Sequence, residues 1–171
     1  MKEISAQDVL QIYNDLHKHH VKIWLDGGWG IDALLEEQTR PHEDVDIVVE
    51  QKNLSALEKY LRGRGYGDVP RDDTRAWNFV LGDKNSNEID IHVVILDEDG
   101  NGIYGPSENG DVYPAQALTG SGKINDQSVL CLSAEYQVES HTGYELRKKD
   151  FLDMEKLSAK FNLDLPAAYK K

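Results

Sequence analysis

The sequence predicts an α/β protein, a mixed β-sheet with packed helices and a short C-terminal helical tail, and three observations carry that prediction. Apolar residues recur at helical spacing in Val9, Leu10, Ile12, Tyr13 and Leu16. A β-branched run, Asp44-Val45-Asp46-Ile47-Val48-Val49, stands between helical segments. Ile89, Ile91, Val93 and Ile95 alternate with Asp90 and His92, as on a half-buried strand. At 171 residues the chain fits one domain, residues 1–171, with its core over about 5–132 and closing helices over about 133–161.

The elements follow in order. Ser5 is a natural N-cap for the first helix, and the cluster His17-Lys18-His19-His20 suits its negative end. Lys22 to Leu25 reads as a short strand that breaks at Gly27-Gly28, leaving Trp29 to Leu35 about two helical turns. After the strand at Asp44 to Val49, Leu54 to Arg62 forms a helix bounded by Asn53 and Gly63. Trp77 to Leu81 and Glu88 to Leu96 pair as a hairpin around Asp83 to Asn87. Asp97 to Gly122 is dense in Gly, Asp, Asn and Pro and reads as long loops with one short strand around Asp111 to Tyr113. Val129 to Leu132 is the last strand. Ser133 caps a helix toward His141, and Gly143 separates it from a final helix over Leu146 to Phe161.

Composition narrows the function. Apolar residues are 39% and charged residues 29%, the balance of a soluble globule rather than a membrane protein. Nineteen Lys and Arg against 31 Asp and Glu leave a net charge of −12, which repels a polyphosphate backbone and argues against nucleic acid as partner. Cys131 is the single cysteine, so no internal disulfide forms. Met1 to Leu10 lacks the features of a signal peptide, and the cytosol is the expected compartment.

Three motifs attract attention for the wrong reason. Asp97 to Glu108 satisfies the calcium-loop pattern at every position, but it leaves an alternating strand and runs into Gly105-Pro106, so a turn between strands explains it. Thr119-Gly120-Ser121-Gly122-Lys123 lacks the glycine and hydroxyl residue that a phosphate loop requires at Ala117 and Ile124. His17, His19 and His20 sit at spacings that do not share one helix face.

The carboxylates of Asp44 and Asp46 are more informative. Two apart on a strand, they leave one face roughly 6.6–6.8 Å apart while Val45, Ile47 and Val49 face the core. Such a pair repels itself unless a cation sits between, and hard oxygen donors of this kind hold Mg²⁺ beside substrate phosphates. Chance also produces such pairs in an acidic chain, and Asp97-Glu98-Asp99 is a second one. The neighbourhood distinguishes the first: Asp90 can supply a third carboxylate from an adjacent strand, Gly27-Gly28 opens a helix whose amides suit a triphosphate, and Arg40 and His42 lie just ahead of the pair.

Together these residues resemble the signature of the nucleotidyltransferase superfamily. Trp24-Leu25-Asp26-Gly27-Gly28-Trp29-Gly30 with Arg40-Pro41-His42-Glu43-Asp44-Val45-Asp46 is similar in particular to the small antibiotic nucleotidyltransferases, those acting on lincosamides and the 2″-acting aminoglycoside adenylyltransferases. Ile89-Asp90-Ile91-His92 and Ser140-His141-Thr142-Gly143-Tyr144 strengthen the lincosamide side, and the resemblance runs over about residues 22–155. It implies a minimal nucleotidyltransferase fold. It also implies that Asp44 and Asp46 bind Mg²⁺, that Asp90 is a third metal ligand or the general base, and that Gly27, Gly28, Trp29, Arg40 and His42 contact the triphosphate. Arg147-Lys148-Lys149-Asp150 resembles a basic stretch beside the nucleotide in some members, though an exposed helix start explains it equally.

The expected reaction is transfer of AMP from ATP to a hydroxyl of a small molecule, with release of pyrophosphate, by a monomer or homodimer. The acidic surface suits a cationic acceptor such as an amine-bearing antibiotic. Two rivals are a protein-nucleotidylating enzyme of the antitoxin type and a non-catalytic nucleotide-binding domain. The second would have no physical reason to keep three mutually repelling carboxylates together.

Overall fold

The computed structural model of the chain describes residues 3–170. It begins with helix α1 (Ala6–Lys18), whose first turn closes a capping box. Ser5 Oγ accepts the Asp8 N–H at 3.1 Å, and the Asp8 carboxylate accepts the Ser5 N–H at 3.2 Å. Val9, Ile12 and Leu16 form its buried stripe. Strand β1 (Ile23–Asp26) leads straight into α2 (Gly27–Leu35), and β2 (Asp44–Glu50) straight into α3 (Gln51–Gly63). A meander follows, β3 (Gly67–Val69), β4 (Asn78–Gly82) and β5 (Glu88–Leu96), and then the small strands β6 (Gly102–Tyr104) and β7 (Val112–Tyr113). The hairpin β8 (Gly120–Ile124) and β9 (Gln127–Cys131) precedes helices α4 (Ala134–Ser140) and α5 (Lys148–Phe161).

All nine strands join one mixed sheet in the order β3-β4-β5-β2-β1-β9-β8, with β6 pairing the far end of β5 and β7 pairing β6. The pair β2–β5 is parallel and β1–β2 antiparallel. β2 is therefore interior, flanked by β1 and β5, and not the edge strand that a polar Asp-x-Asp face would otherwise suggest.

One face of the sheet carries Ile23, Leu25, Val45, Ile47, Val49, Ile89, Ile91 and Val93, packed in a single core with Leu16 of α1, Ile31 of α2, Leu57 and Leu61 of α3, and Leu157 of α5. The other face carries a smaller cluster of Trp24, Val48, Val94, Tyr113 and Leu132. Because side chains alternate along a strand, Asp26, Asp44, Asp46, Asp90 and His92 all fall on this second face. The helices cover one side, and the charged residues gather on the other.

Several expected boundaries shift. α3 starts at Gln51 rather than behind Asn53, with Glu50 in the N-cap position making no side-chain cap bond. The stretch Asp97 to Gly122, expected as loops around one strand, holds β6, β7 and the start of β8, besides 3-10 turns at Ser107–Asn109 and Ala115–Thr119. The calcium-like segment does link two strands. Asp97 Oδ1 accepts the N–H groups of Asp99 and Asn101, both at 2.9 Å, and closes the β5–β6 turn, while Glu108 lies away in a 3-10 turn.

β8 passes so close to α2 that a side chain at Gly122 would overlap the backbone of Ala33. Gly122→Ala is expected to destabilise the fold by roughly 1–3 kcal/mol, the usual cost of overpacking, read as a lower midpoint in urea unfolding. An unchanged midpoint would mean that α2 can yield at this contact. Among the described residues no helix is long and apolar enough to cross a membrane.

Candidate active site

Strand register builds the site. Asp26 of β1 stands opposite Asp46 of β2, and Asp46 opposite Asp90 of β5. One row of carboxylates therefore crosses three neighbouring strands, spaced by the ~4.8 Å between strands. In the next row, Val48 stands opposite His92. His92 Nε2 lies 4.0 Å from Asp46 Oδ1 and 3.9 Å from Asp90 Oδ1, and its Nδ1 is 3.2 Å from the Tyr104 hydroxyl.

The electrostatics follow from this crowding. Burial raises the Asp90 carboxyl to about 6; Asp46 and Asp44 push the same way, and His92 opposes them. Asp26 and Asp44 are raised as well, first by burial and then by Asp46. Burial alone would lower His92. The polar approach of Asp46 and the charges of Asp26, Asp90 and Asp46 outweigh it and hold the imidazole above its ordinary value. The cluster takes up positive charge, from a proton or from a metal ion.

The glycine turn stands at its edge. Asp26 caps α2 by accepting the Gly27 N–H at 2.6 Å. Gly27 has φ +53°, and a side chain there would overlap the Asp46 carboxylate. A side chain at Gly28 would overlap the His42 ring. Both glycines are demanded by close approach. Behind them lies a buried chain of polar bonds: His42 Nε2 is 2.5 Å from Asp32 Oδ2, Arg40 Nη1 is 3.0 Å from His42 Nδ1, and Arg40 Nη2 donates to Asp153 of α5 at 2.9 Å. Thr39 donates both its N–H and its hydroxyl to Asp32 Oδ1.

In front of the carboxylates opens a polar cleft of about 260 Å³, lined by Asp26, Gly27 and Asp46 on its floor and by Tyr113, Tyr136, Ser140, His141 and Tyr144 on its wall. A second cavity of about 450 Å³, between Asp8, Arg64 and Asp83, has no contact with this cluster and lacks its convergent carboxylates. The chemistry belongs to the first.

A match over most of the chain decides the family. The family model for aminoglycoside-2''-adenylyltransferase matches residues 8–157. The chain belongs to this family. The lincosamide resistance protein of Staphylococcus haemolyticus is 31% identical over 147 residues, 85% of this chain and 89% of that protein. The 2''-aminoglycoside nucleotidyltransferase of Klebsiella pneumoniae is 35% identical over 57 residues, 32% of each. Among solved structures, lincomycin-bound lincosamide antibiotic adenylyltransferase LnuA matches with a TM-score of 0.81 at 26% identity, over 92% of this chain and 99% of that one. ANT(2'')-Ia in complex with adenylyl-2''-tobramycin, at 19% identity, shares the fold with a TM-score of 0.67, over 91% and 88%. This adenylyltransferase-family protein is thus an antibiotic-type nucleotidyltransferase on the minimal fold that its motifs implied.

The expected residues of the family member divide into three groups. Asp46 and Asp90 meet, and Asp44 shares their face one step along β2. Gly27 and Gly28 form the turn, with the Gly27 amide already bonded to Asp26. Trp29, Arg40 and His42 stand behind that turn. The Trp29 side chain is 1% exposed and packs on His42 at 4.9 Å, and both His42 ring nitrogens face protein partners. Sequence reasoning passed over Asp26 and His92. Each lies inside a quoted motif; His92 shares strand parity with Asp90 on β5, which was the available signal, whereas Asp26 is the only carboxylate of β1.

Proposed function

We propose that the protein transfers AMP from ATP to a hydroxyl of a lincosamide-like, cationic small molecule, releasing pyrophosphate. The observation that carries the reading is the meeting of Asp46 and Asp90 on neighbouring strands, with Asp46 at the floor of an open polar cleft. Family membership supports the reaction type. The lincosamide resistance protein is matched over 89% of its length and the aminoglycoside enzyme over 32%, which favours a lincosamide acceptor over an aminoglycoside.

The donor set fits a divalent cation, Mg²⁺ in the simplest case. Crowded carboxylates with raised proton affinity, from Asp44, Asp46 and Asp90, are the hard oxygen ligands that such an ion takes. When bound, the ion would neutralise charge on the triphosphate and on the departing pyrophosphate. The chain's own groups do the rest. Gly27 and Gly28 let the phosphates approach the start of α2, and Trp29, Arg40 and His42 hold that turn from behind. Asp90 takes the proton of the acceptor hydroxyl as its oxygen bonds to the α-phosphorus and the bond from that phosphorus to the pyrophosphate oxygen breaks.

Tyr113, Tyr136 and Tyr144 offer aromatic faces to an ammonium-bearing acceptor, and the net charge of −12 favours its approach and disfavours nucleic acid. The cytosol supplies ATP, and we place the reaction there. The test is incubation with ATP and Mg²⁺ against panels of lincosamides and aminoglycosides, with product mass as readout. A lincosamide gaining one AMP is the expected result. No small-molecule product, with labelled protein appearing in cell extract given labelled ATP, would replace the acceptor by a protein.

A further inference from the structure

We infer that His92 is itself a metal ligand, completing with Asp46 and Asp90 a mixed nitrogen and oxygen position that prefers Mn²⁺ to Mg²⁺. The inference rests on the metal-dependent transfer proposed above and assigns it a residue beyond the three carboxylates.

Geometry comes first. One ligand atom from each of Asp46, Asp90 and His92 falls within 4.8 Å of the others, the group of His, Cys, Asp and Glu side chains that converges in this way among the described residues. Atoms bound to one ion at bonds near 2.1 Å are separated by roughly 3.0–4.2 Å. The 4.0 and 3.9 Å from Nε2 to the two carboxylate oxygens lie in that range.

The ring is also held in place. β6 pairs β5 with Tyr104 opposite Val94, which sets the Tyr104 hydroxyl 3.2 Å from His92 Nδ1 and its ring at 5.9 Å. Tyr104 in turn packs edge-on against Tyr113 at 5.6 Å. A hydroxyl accepting from Nδ1–H leaves the Nε2 lone pair facing the carboxylates, the usual outer support of a metal-bound histidine. His92 is therefore aimed from a rigid strand, with its second nitrogen occupied.

Donor chemistry gives the selectivity. Mg²⁺ takes oxygen donors and holds its water strongly, whereas imidazole suits first-row transition ions. Two carboxylates and an imidazole favour Mn²⁺ and the ions after it in the series. A charged imidazole beside two carboxylates would keep the same 3.9 and 4.0 Å contacts, which are too long for direct hydrogen bonds, so the test must see a metal–nitrogen bond.

Untagged protein loaded with Mn²⁺ and examined by electron spin echo spectroscopy is expected to show nitrogen modulation from one imidazole. His92→Gln should remove it and weaken Mn²⁺ binding in calorimetry by about tenfold or more, while Mg²⁺ affinity stays within about twofold. Tyr104→Phe should keep the nitrogen signal and weaken Mn²⁺, and His141→Gln, on the cleft wall, should keep both. Circular dichroism melts of each variant check folding. Absent nitrogen modulation in the native protein, or modulation that survives His92→Gln, would overturn the assignment, as would equal losses for the two metals. The spectrum needs no turnover. A nitrogen-coordinated Mn²⁺ in a protein without transferase activity would reject the proposed reaction and leave the ligand assignment standing.

Discussion

Asp46→Asn is expected to lower nucleotidyl transfer by about 10³-fold or more, the scale of removing a principal stabiliser of transition-state charge, and to leave the fold intact. Asp46 touches every part of the site. It lies opposite both Asp26 and Asp90, it faces His92 Nε2, and its carboxylate fills the space that Gly27 leaves open. The amide is nearly isosteric, so packing survives. Since Asp46 raises the proton affinity of Asp26, Asp44 and Asp90, removing its charge relieves repulsion in the metal-free protein. The melting temperature without metal should therefore hold or rise slightly. Asp44→Asn should show the same separation of activity from stability. Single-turnover kinetics beside thermal melts measure both, and near-normal turnover in either variant would reject the assignment of the pair.

Asp32→Ala should do the reverse and act first on the fold. Asp32 and His42 side chains are each 2% exposed and 2.5 Å apart, and Asp32 also accepts twice from Thr39. Removing the carboxylate strands His42 and Thr39 in the interior. Breaking a buried pair from one side costs about 3–5 kcal/mol, which for a chain of this size is a fall in Tm of roughly 6–20 °C. The consequence reaches the glycine turn, because His42 rests against Gly28 and is tied through Arg40 to Asp153 of α5. ATP binding should weaken along with stability. Urea unfolding and calorimetric ATP titration test the two parts, and a loss under about 1 kcal/mol would mean that His42 finds another partner.

Local signals in the sequence revealed the parts of the fold that local forces determine. α1 carries its capping box within four residues, β2 is a run rich in β-branched residues, and β5 alternates as far as Val93, so composition and periodicity located all three. β8 was hidden because its sequence, Gly-Ser-Gly-Lys-Ile, has the composition of a loop. Its glycines answer to backbone approach, Gly122 to α2 far back along the chain and Gly120 to the end of its hairpin partner β9. α3 begins without a side-chain cap, so Asn53 offered a false start. In the site, parity along single strands identified Asp44, Asp46 and Asp90. Asp26 required knowledge of which strands are neighbours and in what register, and pairing over 20 residues from Asp26 to Asp46, or over 44 from Asp46 to Asp90, leaves no local mark. The tie from Arg40 to Asp153 spans 113 residues and was equally invisible.

The acidic cluster and the wall of the cleft beside it are made from different kinds of chain. Asp26, Asp46, Asp90 and His92 grow from three adjacent strands whose reverse side is the main core, so exchange of residues there disturbs the whole protein. Tyr113, Tyr136 and Tyr144 come from a two-residue strand, the first turn of a seven-residue helix and the segment between two helices, where Tyr144 is 46% exposed. Substitution on the wall, above all at Tyr144, therefore asks less of the fold than substitution in the acidic cluster, so the shape of the cleft and its carboxylates can be varied separately.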